Sequence, residues 1–158
     1  MIKAVCSSDE LSQKRVLNIV DLKKRIKSIM NFNERENFVE IQKVITRVSK
    51  LAKNSDLSTD CLSARDYVNT KLFEKDCELK VLEFIRELEK RFSEGYCNYL
   101  ELLNLFEINV NTIEDLFDNE KGVLIMSEDL KIRNNRLNLL SLIRNYSLKI
   151  ADFTLLNS

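Results

Sequence analysis

The sequence has no histidine, no proline and no tryptophan, and just two glycines and four cysteines among its 158 residues. Histidine is the side chain whose ordinary pKa lies near neutrality. Its absence removes Ser-His-Asp and Cys-His catalysis and every zinc site that needs imidazole. Gly95 and Gly122 stand far apart, so no glycine-rich loop can cradle a phosphate on backbone amides. A chain without proline and nearly without glycine suits long unbroken helices.

Cys6, Cys61, Cys77 and Cys97 lie 55, 16 and 20 residues apart, with no CxxC pair. That spacing fits free thiols in a reducing compartment, not disulfides or a metal site. Residues 1–8 hold no apolar stretch followed by a cleavage site, so no secretory signal is expected. No run approaches about 18 consecutive apolar residues, so no membrane span is expected either. The location this predicts is intracellular, cytoplasmic or nuclear.

What is present is charge and apolar periodicity. Residues are 44% hydrophobic and 32% charged, too apolar for disorder and too charged for a membrane protein. Net charge is zero, but its distribution is uneven. Residues 1–53 carry 12 basic and 6 acidic side chains, net +6. Residues 54–128 carry 8 and 17, net −9, and residues 129–158 carry 5 and 2, net +3. Such asymmetry can steer a partner, or let segments of one fold attract each other.

Periodicity predicts helices nearly throughout. Ser7 and Glu10 have capping-box spacing, and Ile19, Leu22, Ile26 and Ile29 form one helical face. Asn31-Phe32-Asn33 breaks that pattern, and Asn33 with Glu36 repeats the capping box. Phe38, Ile41, Ile45, Val48 and Ala52 make the most regular stripe. Residues 53–56 read as a connection, with Ser58 as the cap of a weaker helix through Leu62, Val68 and Leu72.

Asp76 opens or continues a helix with the stripe Leu82, Ile85, Leu88 and Phe92, and Gly95 is placed to end it. Residues 96–109 have the widest apolar arc and read as the central helix. Asn111 and Glu114 open a short helix. Val123 to Met126 is β-like but has no partner strand, which predicts a buried connection. Ser127 starts a last helix carrying Leu137, Leu140 and Ile143. The expectation is an all-α bundle of about six or seven helices. It forms a single domain over 1–158, with residues 1–8 and 152–158 as flexible tails.

The basic run Lys23-Lys24-Arg25-Ile26-Lys27, with Lys14 and Arg15 before it, has the composition of a phosphate-contacting face. Lys43, Arg47, Lys50 and Lys53 mark the polar side of the next helix. Acidic residues gather at Glu74, Asp76, Glu78, Glu83, Glu87 and Glu89. Glu83 and Glu87 share one helix face, but a di-iron bundle needs Glu-x-x-His elements that this chain cannot supply. These carboxylates read as a solvated face. No catalytic residue, cofactor or metal ligand is predicted.

Two local resemblances stand out. Residues 81–118, from Val81-Leu82-Glu83-Phe84-Ile85-Arg86 through Leu102-Leu103 to Leu116, resemble the later helices of death-effector domains. Asn111-Thr112-Ile113-Glu114-Asp115-Leu116 stands where that family has its Arg-x-Asp-Leu-type ending. Phe92-Ser93-Glu94-Gly95, then Asn98-Tyr99 and Phe106, is similar to the groove-forming motif of the B-cell-lymphoma apoptosis regulators. Leu100-Glu101 replaces that family's Gly-Arg pair. Either resemblance implies a helical regulator of apoptosis or immune signalling.

Taken together, the sequence predicts a non-enzymatic interaction, adaptor or regulatory protein, cellular or a viral or microbial factor. It would bind a partner helix or a second copy of itself through an apolar face with charged rims. Lys23, Lys24, Lys27, Lys43, Arg47 and Lys50 are the predicted steering surface, and Glu83, Glu87 and Glu94 its acidic complement. A nucleic-acid-binding accessory protein using the same basic helices is the alternative.

Overall fold

In the computed structural model, which describes residues 1–11, 18–93 and 98–156, seven α-helices and two 3₁₀ turns appear among the described residues, with no strand. The helices are α1 (Ile2–Leu11), α2 (Ile19–Asn33), α3 (Phe38–Ala52), α4 (Asp76–Ser93), α5 (Tyr99–Ile108), α6 (Val110–Asp115) and α7 (Leu130–Leu148). The 3₁₀ turns cover Thr70–Leu72 and Phe153–Leu155. The all-α bundle expected from periodicity is the fold observed. No helix among the described residues is long and apolar enough to cross a membrane.

Helix boundaries differ from the periodicity reading in instructive ways. α1 begins at Ile2, so Ser7 lies inside a helix and caps nothing. α2 starts at Asn18, whose side chain accepts from the Asp21 amide (3.1 Å), and runs through Asn31-Phe32-Asn33. Magnitudes explain the second result. An asparagine in the last turn and another at the final helical position cost at most about 0.7 kcal/mol each relative to alanine, whereas burying a phenylalanine side chain gains about 1.5–3 kcal/mol. Phe32 is fully buried and meets Phe38 edge-on, with ring centroids 6.1 Å apart.

The Asn33–Glu36 capping box is not formed. The α2–α3 turn is held instead by Glu107 of α5, whose carboxylate pairs with Arg35 and accepts from Asn37 Nδ2 (2.8 Å). At the ends of the bundle, Ala4 and Val5 are buried, as are Phe153 and Leu156. The Asp152 amide donates to the Ala4 carbonyl (2.9 Å). The segments expected as flexible tails thus pack against one another where they are described.

The predicted helix from Ser58 does not form. Ser55, Ser58 and Ser63 each accept from the amide two residues on, at 3.1, 3.3 and 3.3 Å. Such local bonds offer the backbone an alternative to helix. Carbonyls that a helix would have used are taken by α7 side chains. Asn145 Nδ2 donates to Ser58 (2.8 Å) and Cys61 (2.6 Å), and the Tyr146 hydroxyl donates to Leu62 (2.7 Å). Arg144 donates to Ala52 (3.0 Å) and Leu57 (3.2 Å). Farther along, Asn138 reaches the Tyr67 carbonyl (2.7 Å), and Asn135 exchanges two bonds with Asn69.

α7 is therefore the central helix, in place of α5. It packs most extensively on α3 and also on α4. It buries Leu137, Leu139, Leu140, Leu142, Ile143 and Tyr146, together with Asn135, Arg136, Ser141, Asn145 and Ser147. Counting apolar residues under-reads a helix whose polar side chains are also buried. Its cap is Asp129, accepting from the Lys131 (2.8 Å) and Ile132 (3.2 Å) amides, and not Ser127.

The connection before α7 is only partly buried. Ile125 faces inward, while Leu124 and Met126 are 70% and 44% exposed. Asp118 shapes its start by accepting from the Glu120 (2.8 Å) and Lys121 (2.7 Å) amides, which hold its carboxyl below the usual range. Gly122 closes the turn, donating to the Asp118 carbonyl (3.1 Å). A Cβ there would meet the Asp118 carbonyl oxygen at 2.4 Å and the Leu116 carbonyl oxygen at 2.6 Å. Both are backbone atoms with little freedom to yield. Gly122→Ala is expected to destabilise the fold by about 1–3 kcal/mol. Urea titration followed by circular dichroism measures it, and an unchanged midpoint would show that the turn opens without cost.

Candidate nucleic-acid interface

The α3 stripe Phe38, Ile41, Ile45, Val48 and Ala52 is buried, which turns Lys43, Arg47 and Lys50 outward at i, i+4 and i+7. The segment after α7 returns across this helix. Thr46 Oγ1 donates to the Phe153 carbonyl (3.5 Å), and Gln42 Nε2 donates to the Leu156 carbonyl. Between helix and segment lies a groove of about 630 Å³. Lys43, Arg47 and Lys50 line it with Gln42, Thr46 and Thr154, and no lining residue is acidic. Three cations around one concavity focus a positive field toward a bound anion.

Arg47 packs on an aromatic ring. Its guanidinium sits 4.1 Å from the centroid of the Phe117 ring. A cation over a ring face gains about 0.5–1 kcal/mol at an exposed site, which restrains a long side chain. Beyond Phe117 the surface changes sign. The adjoining hollow is lined by Glu114, Asp115 and Asp118 with Lys121. The positive groove thus has a sharp acidic border on one side.

Lys23, Lys24 and Lys27 are exposed on α2 and do not line this groove. Arg25, within the same basic run, is 1% exposed. Its Nε pairs with Asp21 (2.9 Å) and its Nη1 donates to the Val5 carbonyl (3.3 Å), which ties α2 to α1. Of the predicted steering residues, the structure brings Lys43, Arg47 and Lys50 together. Glu83 and Glu87 are exposed on α4. Lys14, Arg15, Glu94, Gly95 and Cys97 lie outside the described residues.

Nucleophilic thiol chemistry is not served here. Burial pushes the Cys61 thiol up against a lowering backbone hydrogen bond at Ser63, with Glu89 adding to the rise. Burial and Glu78 do the same to Cys77. Among the described residues no three carboxylates or thiols gather in a metal-holding cluster.

Comparison with known proteins bears on what such a surface serves. No protein-family model matches the chain. Over 158 aligned residues, 97% of the chain, it is 30% identical to the glycine–tRNA ligase beta subunit of Picosynechococcus sp., and covers 22% of that protein. The chain is similar to a ligase subunit. The beta subunit of Synechocystis sp. is 29% identical over 149 residues, which is 93% of the chain and 21% of the relative. That of Persephonella marina is 33% identical over 132 residues, 82% of the chain and 17% of the relative. The chain spans about a fifth of the length of the curated relatives it matches.

These relatives overturn the expectation of a non-enzymatic adaptor, regulatory protein or viral factor, because nearly the whole chain aligns with a subunit of an enzyme. The accessory-protein alternative and the two apoptosis-family resemblances fall with it. Those resemblances rested on short helical patterns, whereas the ligase similarity runs along almost every element. Missing histidine and glycine loops misled for a physical reason. A chain similar to about a fifth of an enzyme subunit need not carry the reacting groups.

Proposed function

We propose that this chain is the helical, tRNA-contacting part of a ligase of the glycine–tRNA type, and that the α3 groove holds the sugar–phosphate backbone of the tRNA. The observation that carries the reading is the similarity to glycine–tRNA ligase beta subunits over 97% of the chain. The groove supports it, since Lys43, Arg47 and Lys50 face it and none of its lining residues is acidic. Phosphate contacts from lysine and arginine supply the sequence-independent part of nucleic-acid affinity. A beta subunit implies a companion subunit. The exposed Leu124, Met126 and Leu130 offer apolar area for a protein contact of that kind. The reading places the chain in a compartment that holds tRNA.

The test is binding of a glycine-tRNA transcript across a salt series, wild type against Lys43→Glu/Arg47→Glu/Lys50→Glu. Circular dichroism checks that the exposed substitutions leave the fold intact. Affinity at low salt is expected to fall at least about tenfold, and the salt slope to drop by about one for each cation removed. Equal slopes for the two proteins would sink the reading.

A further inference from the structure

One wall residue of the groove carries a buried acceptor for which the described residues supply no donor. Gln42 stands on the buried side of α3, 9% exposed, and forms part of the groove wall. Its Nε2 is engaged by the Leu156 carbonyl. Its Oε1 is buried and has no hydrogen-bond donor among the described residues. The opposite amide orientation would set two oxygens against each other at Leu156, so the Leu156 contact fixes which end stays unpaired. Thr46, one turn along, has its hydroxyl committed to the Phe153 carbonyl (3.5 Å).

A buried acceptor without a donor costs about 1–3 kcal/mol, and a ligand that brings the donor recovers that cost. The ligand must meet two demands at once. Three cations ask for an anion, and a phosphodiester supplies it but carries no proton to donate. Gln42 Oε1 asks for a hydroxyl or amine close to that anion. A ribose with its 3′ phosphate has both, because the 2′-hydroxyl is a donor beside the phosphate, and it is the group that separates RNA from DNA.

We propose that Gln42 makes the α3 groove a ribose-phosphate site, in which Oε1 accepts from a 2′-hydroxyl while Lys43, Arg47 and Lys50 hold the adjoining phosphate. This rests on the tRNA-contacting reading above and adds a sugar preference to it. Phe117 is then a positioning residue, holding Arg47 at the border of the site.

The experiment compares a glycine-tRNA transcript with the same sequence synthesised with 2′-fluoro sugars, which keep the A-form geometry and the bases but lack the donor. Wild type is expected to bind the hydroxyl form roughly three- to tenfold more tightly. Gln42→Leu is expected to bring that ratio to about one. Affinity for the 2′-fluoro form is expected to be the same in wild type and Gln42→Leu, which separates loss of the sugar contact from loss of the Leu156 tie. The Lys43→Glu/Arg47→Glu/Lys50→Glu protein is expected to lose affinity for both RNAs. If those charge reversals leave both affinities unchanged, the tRNA-contacting reading fails. If they lower both while wild type already shows a ratio of about one, the groove binds phosphate alone and the role of Gln42 is overturned. A ratio that persists in Gln42→Leu places the sugar contact elsewhere and overturns it equally.

Discussion

Replacing Arg136 with methionine is expected to destabilise the fold by about 3–5 kcal/mol, a large share of a small protein's stability. Arg136 is 2% exposed and joins three parts of the molecule. Its Nε donates to Glu78 Oε1 (2.9 Å) and its Nη2 to Glu74 Oε2 (2.6 Å) at the start of α4. Its Nη1 donates to the Leu124 carbonyl (3.0 Å) in the connection before α7. Burial alone would pull the guanidinium down, but hydrogen bonds and charge from Glu78 and Glu74 outweigh that and raise it. Glu78 is fully buried, and its other oxygen accepts from the Glu74 (2.7 Å) and Lys75 (3.1 Å) amides.

Methionine fills much of the same volume, so the expected loss measures the stranded Glu78 carboxylate and not a cavity. Urea unfolding gives the number. Glu78→Gln added to Arg136→Met is expected to recover part of it, because a neutral amide is cheaper to bury alone. A loss below about 1 kcal/mol for Arg136→Met would mean that water reaches Glu78 and that the pair is not a buried one.

Asn145→Leu is expected to cost about 2–4 kcal/mol, for a different reason. Asn145 is fully buried on α7, and its amide donates to the carbonyls of Ser58 and Cys61. Leucine keeps the bulk and removes both N–H donors, which leaves the Cys61 carbonyl without its donor and the Ser58 carbonyl with the Cys61 amide as its remaining one. Arg144 loses a partner too, since its Nε donates to Asn145 Oδ1 (3.0 Å). Burial already pulls the Arg144 guanidinium down, so a lost acceptor weakens what keeps it in place. Hydrogen exchange should show the loss concentrated in residues 57–69, with α3 and α4 protected nearly as before. Uniform loss across all helices would show that the segment is not separately anchored.

Much of the bundle was legible in the sequence. The α3 stripe and the α4 stripe both predicted their buried faces, because one side of each helix meets a neighbour along its whole length. Three functional or structural centres carried a weaker signal of one kind: a polar residue at a position where the apolar stripe requires a hydrophobe. Gln42 lies four residues after Phe38, Arg136 four before Leu140, and Arg25 falls between Leu22 and Ile29. All three are buried and hydrogen-bonded to a distant part of the chain. Reading Arg25 simply as one of a basic run missed this.

Residues 53–75 were not legible as an irregular segment, since Ser58 imitates a helix cap and Val68 and Leu72 stand four apart. Their conformation is decided by serine side chains and by α7 side chains 66–87 residues away in sequence. The groove could not be read either. Its second wall is the Phe153–Leu155 turn, and no local pattern announces that this turn returns to α3.

The distance between residues 55–69 and the side chains that fix them also sets an order of events during synthesis. The chain leaves the ribosome at about 5–20 residues per second. Leu57 and Ser58 emerge long before Arg144 and Asn145, 87 residues later. α2 and α3 can pair early, but the intervening coil has nothing to bind until the final helix arrives. A nascent chain stalled short of residue 135 is therefore expected to expose 55–69 to protease, and one extended through α7 to protect it.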